Sequence, residues 1–411
     1  MGKPDLSIEI AGIKHDPAIW IGAGPLTGKL WSMKKCVEAG AGAVDTKRTA
    51  LPELEMTRQG SYVKPIRKPG RTKSPYRWFL VQETMFYSLQ HCEPNFLHFK
   101  TAQVLIRGMK NWRPDIPVYQ NACSSMYMPG DDVEDWIKIG KAGQDAGADA
   151  FVMDLWTLGY CSHEFNAKKW ANDIFRPVVE ALDIPVFYKM FPTFDYRRFV
   201  ELCKALENAG VAALQPTEGP VLVPPCDIHN DGKPVFSVTD KHSFRTLVCG
   251  SWLKHIANTM VYLATENVSI PVMGIGGIMS ARDAIERIMY GASAIGLCTA
   301  PLIKGFKVIT EIRNGIQNFM KLHGYDAIED FRGIAKKHVV SDMYLEMDLL
   351  PCVPKIDPKK CNGCGVCTLP GHCDAIKIEK GIAVVDREKC EGCGLCAQLC
   401  PNGAIKIVEL K

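Results

Sequence analysis

Long hydrophobic runs are missing from this sequence. No apolar stretch reaches the roughly 18–20 residues that a bilayer-spanning helix needs, so no transmembrane segment is expected. An excess of one charge is missing too. Lys and Arg number 49 against 45 Asp and Glu, a formal net charge of +4. That balance gives no electrostatic ground for binding nucleic acid or an anionic membrane. The opening residues, MGKPDLSIEI, are polar and mixed in charge. They lack the basic-then-apolar order of a secretory signal. The 47% hydrophobic and 23% charged residues make an ordinary globular balance, and 411 residues suit two domains.

Cysteine, by contrast, is abundant. Of 17 cysteines, eight fall between residues 361 and 400. Clustering at short fixed spacing argues for metal ligation in a reducing cytoplasm, not for a secreted disulfide framework. The second group reads Cys390-x2-Cys393-x2-Cys396-x3-Cys400-Pro401. This is the bacterial ferredoxin run, whose fourth thiolate reaches across to the other cluster. The first group is Cys361-x2-Cys364-x2-Cys367-x5-Cys373, with a longer last gap and Asp374 in the usual proline position. The crossed rule assigns Cys361, Cys364, Cys367 and Cys400 to one [4Fe–4S] cluster. It assigns Cys390, Cys393, Cys396 and Cys373 to a second. Ala-Ile-Lys-Ile recurs after each group, at 375–378 and 404–407, as an internal repeat should. Two tetrathiolate zinc sites are the competing reading, and they use such a run far less often.

Ahead of residue 300 another unit recurs. A helix-like stretch ends in a small-residue signal and an apolar strand follows. The signals stand at 39–43, 146–150, 209–213 and 291–294. Apolar runs at 18–24, 41–47, 117–123, 150–156, 185–191, 212–218, 271–277 and 294–300 read as eight strands. They are continuous rather than alternating, which suits parallel strands buried on both faces. The expected fold is an α/β (β/α)8 TIM barrel followed by a small α+β ferredoxin domain, divided as 1–350 and 351–411. Lys47, Asn121, Asp154, Lys189 and Thr217 lie at strand ends, where barrel active sites are built. The long connections 48–116 and 219–270 predict lids or subunit contacts. A nucleotide fold is the rival for 18–45, which contains Gly22-x-Gly24-x3-Gly28. Pro25 and the late third glycine speak against it.

The segment PVMGIGGIMSARDAIERIMYGASAIGLCTAPLIKGF, 271–306, resembles the phosphate-binding end of the dihydroorotate dehydrogenase superfamily. Asp45-Thr46-Lys47 and the PVFYKM lysine, Lys189, resemble its flavin-contacting lysines. An FMN barrel followed by a two-cluster ferredoxin resembles the corresponding portion of the dihydropyrimidine dehydrogenases. The resemblance implies FMN held by Ala23, Gly24, Lys47, Asn121, Lys189, Thr217, Gly250, Ser251, Gly276, Gly277, Cys298 and Thr299.

Departures bear on the substrate. The family carries Asn-x-Ser-Cys-Pro after the fourth strand, and here Asp154-Leu155-Trp156-Thr157-Leu158 stands there. Asp154 occupies the substrate-binding Asn position and Thr157 the acid/base Cys position. Threonine is a poor proton shuttle at neutral pH, so Cys161 and His163 become candidates beside Thr157 and Asp154. Pro216-Thr217 replaces the family's Asn-Thr. An ionised Asp only accepts hydrogen bonds, whereas an amide also donates, so a plain pyrimidine is not the expected substrate.

Iron–sulfur clusters pass single electrons, and a flavin converts them to a hydride. The expected function is reduction of an unsaturated small molecule, or the reverse. A NAD(P)H/FAD subunit or soluble ferredoxin would be the redox partner, and the chain an oligomer. Dihydropyrimidine dehydrogenase activity on uracil or thymine, and an electron-transfer subunit without a small-molecule substrate, are the alternatives.

Overall fold

The computed structural model describes residues 4–50, 77–82, 85–90, 97–122, 133–154, 166–190, 193, 195–235, 246–340, 351–370 and 373–410. They fall into two compact units, Met1–Lys337 and His338–Lys411.

The first unit is built on eight parallel strands. These are β1 (Ile19–Ile21), β2 (Ala43–Asp45), β3 (Val118–Ala122), β4 (Ala150–Asp154), β5 (Val186–Lys189), β6 (Ala213–Gln215), β7 (Met273–Ile275) and β8 (Ala294–Leu297). Each predicted apolar run contains one of them. Their spatial order is β6-β5-β4-β3-β2-β1-β8-β7. A parallel bridge between Leu214 and Val272 joins the two ends, with Leu214 N–H donating to the Pro271 carbonyl at 3.0 Å. The ring is therefore the predicted barrel. Every residue of β3 and β4 is buried, as strands covered on both faces require.

Helices alternate with the strands: α1 (Leu30–Glu38), α2 (Phe99–Trp112), α3 (Val133–Asp145), α4 (167–181), α5 (Tyr196–Asn208), α6 (Lys254–Asn267), α7 (Ala281–Met289) and α8 (Lys307–His323). The four small-residue signals mark helix ends. Gly40, Gly147, Gly210 and Gly291 have φ of +107°, +93°, +90° and +110°, which a side chain would oppose. Sequence also sets the helix starts. Asp195 and Ser280 accept hydrogen bonds from the N–H groups of Arg198 and Asp283, capping α5 and α7.

The two long connections meet. Strands Arg77–Gln82 and Met85–Gln90 from the first pair with Thr246–Gly250 and Val221–Leu222 from the second, in one antiparallel sheet. No local pattern announced this pairing, because its partners lie more than 150 residues apart.

The second unit contains two antiparallel ribbons. β9 (Cys352–Ile356) pairs with β12 (Ile405–Glu409), and β10 (Ile376–Glu379) with β11 (Ile382–Val385). The halves repeat in detail. Asp386 N–H donates to Ala375 O and Asp357 N–H to Ala404 O, both at 2.7 Å. Gly365 and Gly394 each precede a short helical turn with φ of +75°. The repeated Ala-Ile-Lys-Ile thus opens β10 in one half and β12 in the other.

Candidate active site and metal centre

Parallel register places the ends of the barrel strands side by side. Asp154 pairs with Lys189, and Lys189 with Gln215. A run of polar residues therefore faces one end of the ring. Arg48, three residues beyond Asp45 at the end of β2, donates Nε–H to Asp154 Oδ2 at 2.6 Å and also bonds Glu218 Oε1. Lys189 Nζ donates to Asp154 Oδ2 at 3.0 Å and to Glu218 Oε1 at 2.9 Å. All four side chains are at most 7% exposed. The two carboxylates are pushed apart. Burial raises both, but Arg48 and Lys189 prevail at Asp154 and hold it below the ordinary range. At Glu218 burial prevails, with Asp154 adding to it, and the carboxyl is raised. Burial opposes the charge of Lys189, yet Asp154 and Glu218 outweigh it and raise the ammonium.

Beside this network lies a cavity lined by Ala23, Lys189, Thr217, Gly276, Gly277, Cys298 and Thr299, all of them expected cofactor residues. Glu218, Gly219, Cys249 and Gly296 complete much of its wall. Gly24 adjoins it: a Cβ there would lie 2.5 Å from Cys298 Sγ. Gly277 has φ of +77°, and a Cβ on it would stand 2.3 Å from the Lys254 nitrogen. This backbone leaves no room for a side chain. Such an approach lets exposed N–H groups meet an anion. Lys47 is buried and its N–H donates to Thr27 O at 2.9 Å. Asn121 N–H donates to Thr46 Oγ1 at 3.1 Å. Gly250 ends the inserted strand and Ser251 opens the turn leading into α6.

Several buried polar atoms have no partner among the described residues. They include both amide atoms of Asn121, Gln215 Oε1, Thr217 Oγ1, Asp154 Oδ1 and Glu218 Oε2. Buried acceptors and donors are normally satisfied, so this set fits a polar ligand such as an isoalloxazine edge. The residues present therefore fit FMN. Of the acid/base candidates, Asp154 is engaged through Oδ2 in the ion network. Thr157, Cys161 and His163 lie outside the described residues.

Sequence reasoning missed three residues here. Arg48 follows the singled-out Lys47 and had a local signal. Glu218 had none beyond adjacency to Thr217. Arg287 lies on α7, yet its Nη1 donates to Ile275 O and Nη2 to Gly276 O, both at 2.8 Å, and its Nε to Asn258 Oδ1 at 2.6 Å. It ties the Gly276–Gly277 loop to α6. Burial pulls its guanidinium down to about 9, against Glu286 and Asp283.

In the second unit, Cys373, Cys390, Cys393, Cys396 and Cys367 line one small cavity. Burial, then the neighbouring Cys361, Cys364 and Cys400, push the Cys367 thiol up. Cys400 is lowered: slight burial opposes this, but the N–H groups of Ala404, Asn402, Ile405 and Gly403 surround its sulfur. Ala383 N–H donates to Cys361 Sγ at 3.4 Å and Ala404 N–H to Cys400 Sγ at 3.3 Å. Cys400 thus lies near Cys367 together with Cys361 and Cys364, and Cys373 shares its cavity with Cys367, Cys390, Cys393 and Cys396. Among the described residues no three His, Cys, Asp or Glu converge on a point that one metal ion could occupy. Among the same residues no helix is long and apolar enough to cross a membrane.

Comparison with known proteins defines the class first. Residues 160–320 match the dihydroorotate dehydrogenase family, and residues 383–406 match the 4Fe-4S binding domain. The barrel thus resembles the dihydroorotate dehydrogenase superfamily, and a 4Fe-4S ferredoxin module follows it. The chain is 33% identical over 196 residues to the dihydroorotate dehydrogenase B (NAD(+)) catalytic subunit of Pyrococcus horikoshii, covering 46% of this chain and 61% of that one. To NAD-dependent dihydropyrimidine dehydrogenase subunit PreA of Escherichia coli it is 24% identical over 374 residues, 88% of this chain and 84% of PreA. The Thermoplasma volcanium dihydroorotate dehydrogenase B catalytic subunit is 24% identical over 342 residues, 81% of this chain and 99% of its own. The alignment with the Pyrococcus horikoshii and Thermococcus kodakarensis proteins spans only 61% and 60% of their lengths.

Proposed function

We propose that the chain is an FMN- and iron–sulfur-dependent oxidoreductase acting on a C–C double bond, or on the CH–CH bond in reverse. The observation that carries this is the single cavity at the strand ends that gathers Ala23, Lys189, Thr217, Gly276, Gly277, Cys298 and Thr299. Bound FMN would supply the conversion between single electrons and a hydride. The chain's own residues do the rest. Backbone N–H groups of the Gly276–Gly277 loop and of 298–299 hold the phosphate. Lys189 presents a cation toward the flavin ring, tempered by Asp154 and Glu218. Asn121 and Thr217 hold the ring through their unpartnered polar atoms.

Two [4Fe–4S] clusters, ligated in the crossed pattern, relay electrons from outside. The relatives are described as subunits, which supports a separate redox subunit or a soluble ferredoxin as the donor, in the reducing cytoplasm. The substrate is not a plain pyrimidine. Asp154 belongs to a charged network where the resembling family has an amide, and Pro216 replaces a second amide. An amide's paired donor and acceptor are thus absent from both positions.

The test is anaerobic purification, assay of FMN and iron, dye reduction, and mixing with a panel of unsaturated compounds. The panel includes uracil and orotate. Reoxidation by a non-pyrimidine is the expected result. Reoxidation by uracil or orotate alone overturns the substrate assignment. Iron without FMN, and no FMN uptake, overturns the whole reading.

A further inference from the structure

The loop that in the resembling family supplies the proton carries threonine at the acid/base position here, with Cys161 and His163 beside it outside the described residues; the cavity wall offers another source. Among the described residues four titratable side chains line the cavity: Lys189, Glu218, Cys249 and Cys298. Lys189 is fixed as a cation between two carboxylates. Cys249 is fixed as a thiol, since burial drives it far above its usual range. Glu218 differs. Its Oε1 takes the hydrogen bonds of both Arg48 and Lys189. Its Oε2 is buried and has no donor among the described residues. Oε2 is therefore the oxygen left to take up a proton when negative charge is added beside it. Asp154 has the same two cationic partners and one orphaned oxygen, but it does not line the cavity.

We propose that Glu218 is the acid/base residue of this site, exchanging a proton at Oε2 with the substrate that lies over the cofactor. The inference rests on the flavin reading above. In the reducing direction the Glu218 O–H bond breaks and a C–H bond forms at one carbon of the double bond. The neighbouring carbon receives a hydride from the reduced flavin. One hydride and one proton together saturate the bond. The carboxylate left behind is held by Arg48 and Lys189, so its charge is compensated at once. Addition of negative charge beside Glu218 draws a proton back to Oε2. The groups that face it are Arg48 following β2, Asp154 on β4, Lys189 on β5 and Cys249 on the inserted strand.

The experiment needs no substrate. Wild-type protein, Glu218→Gln and Glu218→Asp are loaded with FMN, and the flavin midpoint is followed from pH 6 to 8 during anaerobic titration with dithionite. Each proton bound per two electrons shifts the equilibrium tenfold per pH unit, about 30 mV. The expected result is that Glu218→Gln loses one such proton from the slope and Glu218→Asp keeps it. An unchanged slope in Glu218→Gln overturns the proposal. If Glu218→Gln fails to retain FMN, infrared spectra of the unloaded proteins decide. A titrating buried carboxyl band present in wild type and absent from Glu218→Gln supports the assignment, and no difference between them overturns it. Failure of wild-type protein to bind FMN overturns the flavin reading instead, and is seen before any variant is titrated.

Discussion

Arg287 shows how one residue serves a site it does not line. Its guanidinium reaches the carbonyls of Ile275, Gly276 and Lys254 and the side chain of Asn258 at once. The planar fork suits this; a lysine ammonium has one nitrogen and cannot span those acceptors. Arg287→Lys should therefore leave buried carbonyls unpaired and loosen the glycine loop. Flavin affinity should fall by tenfold or more, equivalent to about 1.4 kcal/mol, measured by fluorescence recovery as FMN dissociates. Unchanged affinity would show that the loop keeps its shape without the fork. The network of Arg48, Lys189, Asp154 and Glu218 works differently. Two cations share the same two carboxylate oxygens, and each charge is tolerable in the interior only because the others are there.

At the scale of elements, the cysteine module is a duplicated ribbon-and-turn, and the proposed crossed ligation exchanges ligands between its halves. Cys373 precedes β10, yet it lines the cavity with Cys390, Cys393 and Cys396. Cys373→Ser should remove a ligand from that cluster alone. Iron content should drop by roughly half, and the reduced protein should keep the spectroscopic signature of one cluster. Loss of all iron would argue against independent clusters, and loss of none against Cys373 as a ligand. The inserted sheet is the other exchange between distant segments. Thr246–Gly250 pairs with Met85–Gln90, and this strand delivers Cys249 to the cavity and Gly250-Ser251 to the start of α6.

Among the described residues of the barrel, His15 and Asp45 are buried groups whose shifts carry opposite pH signs. Burial lowers His15 to about 4 from 6.5. Between those values the unfolded chain binds the proton and the folded one does not. Stability is thus lost as pH falls from 6.5 toward 4, by about 3 kcal/mol. Asp45 goes the other way: burial raises it to about 7 from 3.8, against Lys189 and the Ala23 N–H. The folded chain keeps that proton while the unfolded one has lost it, so stability is lost as pH rises from 4 to 7, by about 4 kcal/mol. The two slopes nearly cancel between pH 4 and 6.5. Thermal midpoints should expose each in turn. His15→Gln should gain on wild type as pH falls through this window, and Asp45→Asn should gain as pH rises. Parallel curves for wild type and variant would show that the side chain titrates normally in the fold.

Local order along the chain determined the eight strands, the helix stops at Gly40, Gly147, Gly210 and Gly291, and the duplicated cysteine runs. Each depends on residues a few positions apart: apolar continuity, a left-handed glycine, a thiolate spacing. The glycine loop at 276–277 and the lysine at 189 were legible for the same reason, since they sit at strand ends whose positions follow from the strands. Tertiary structure alone decided the rest. Arg48, Asp154, Lys189 and Glu218 come together only because the ring closes and sets four strand ends in register. Their charges are then stripped of water, so pairing and protonation are governed by neighbours distant in sequence, which no local pattern encodes.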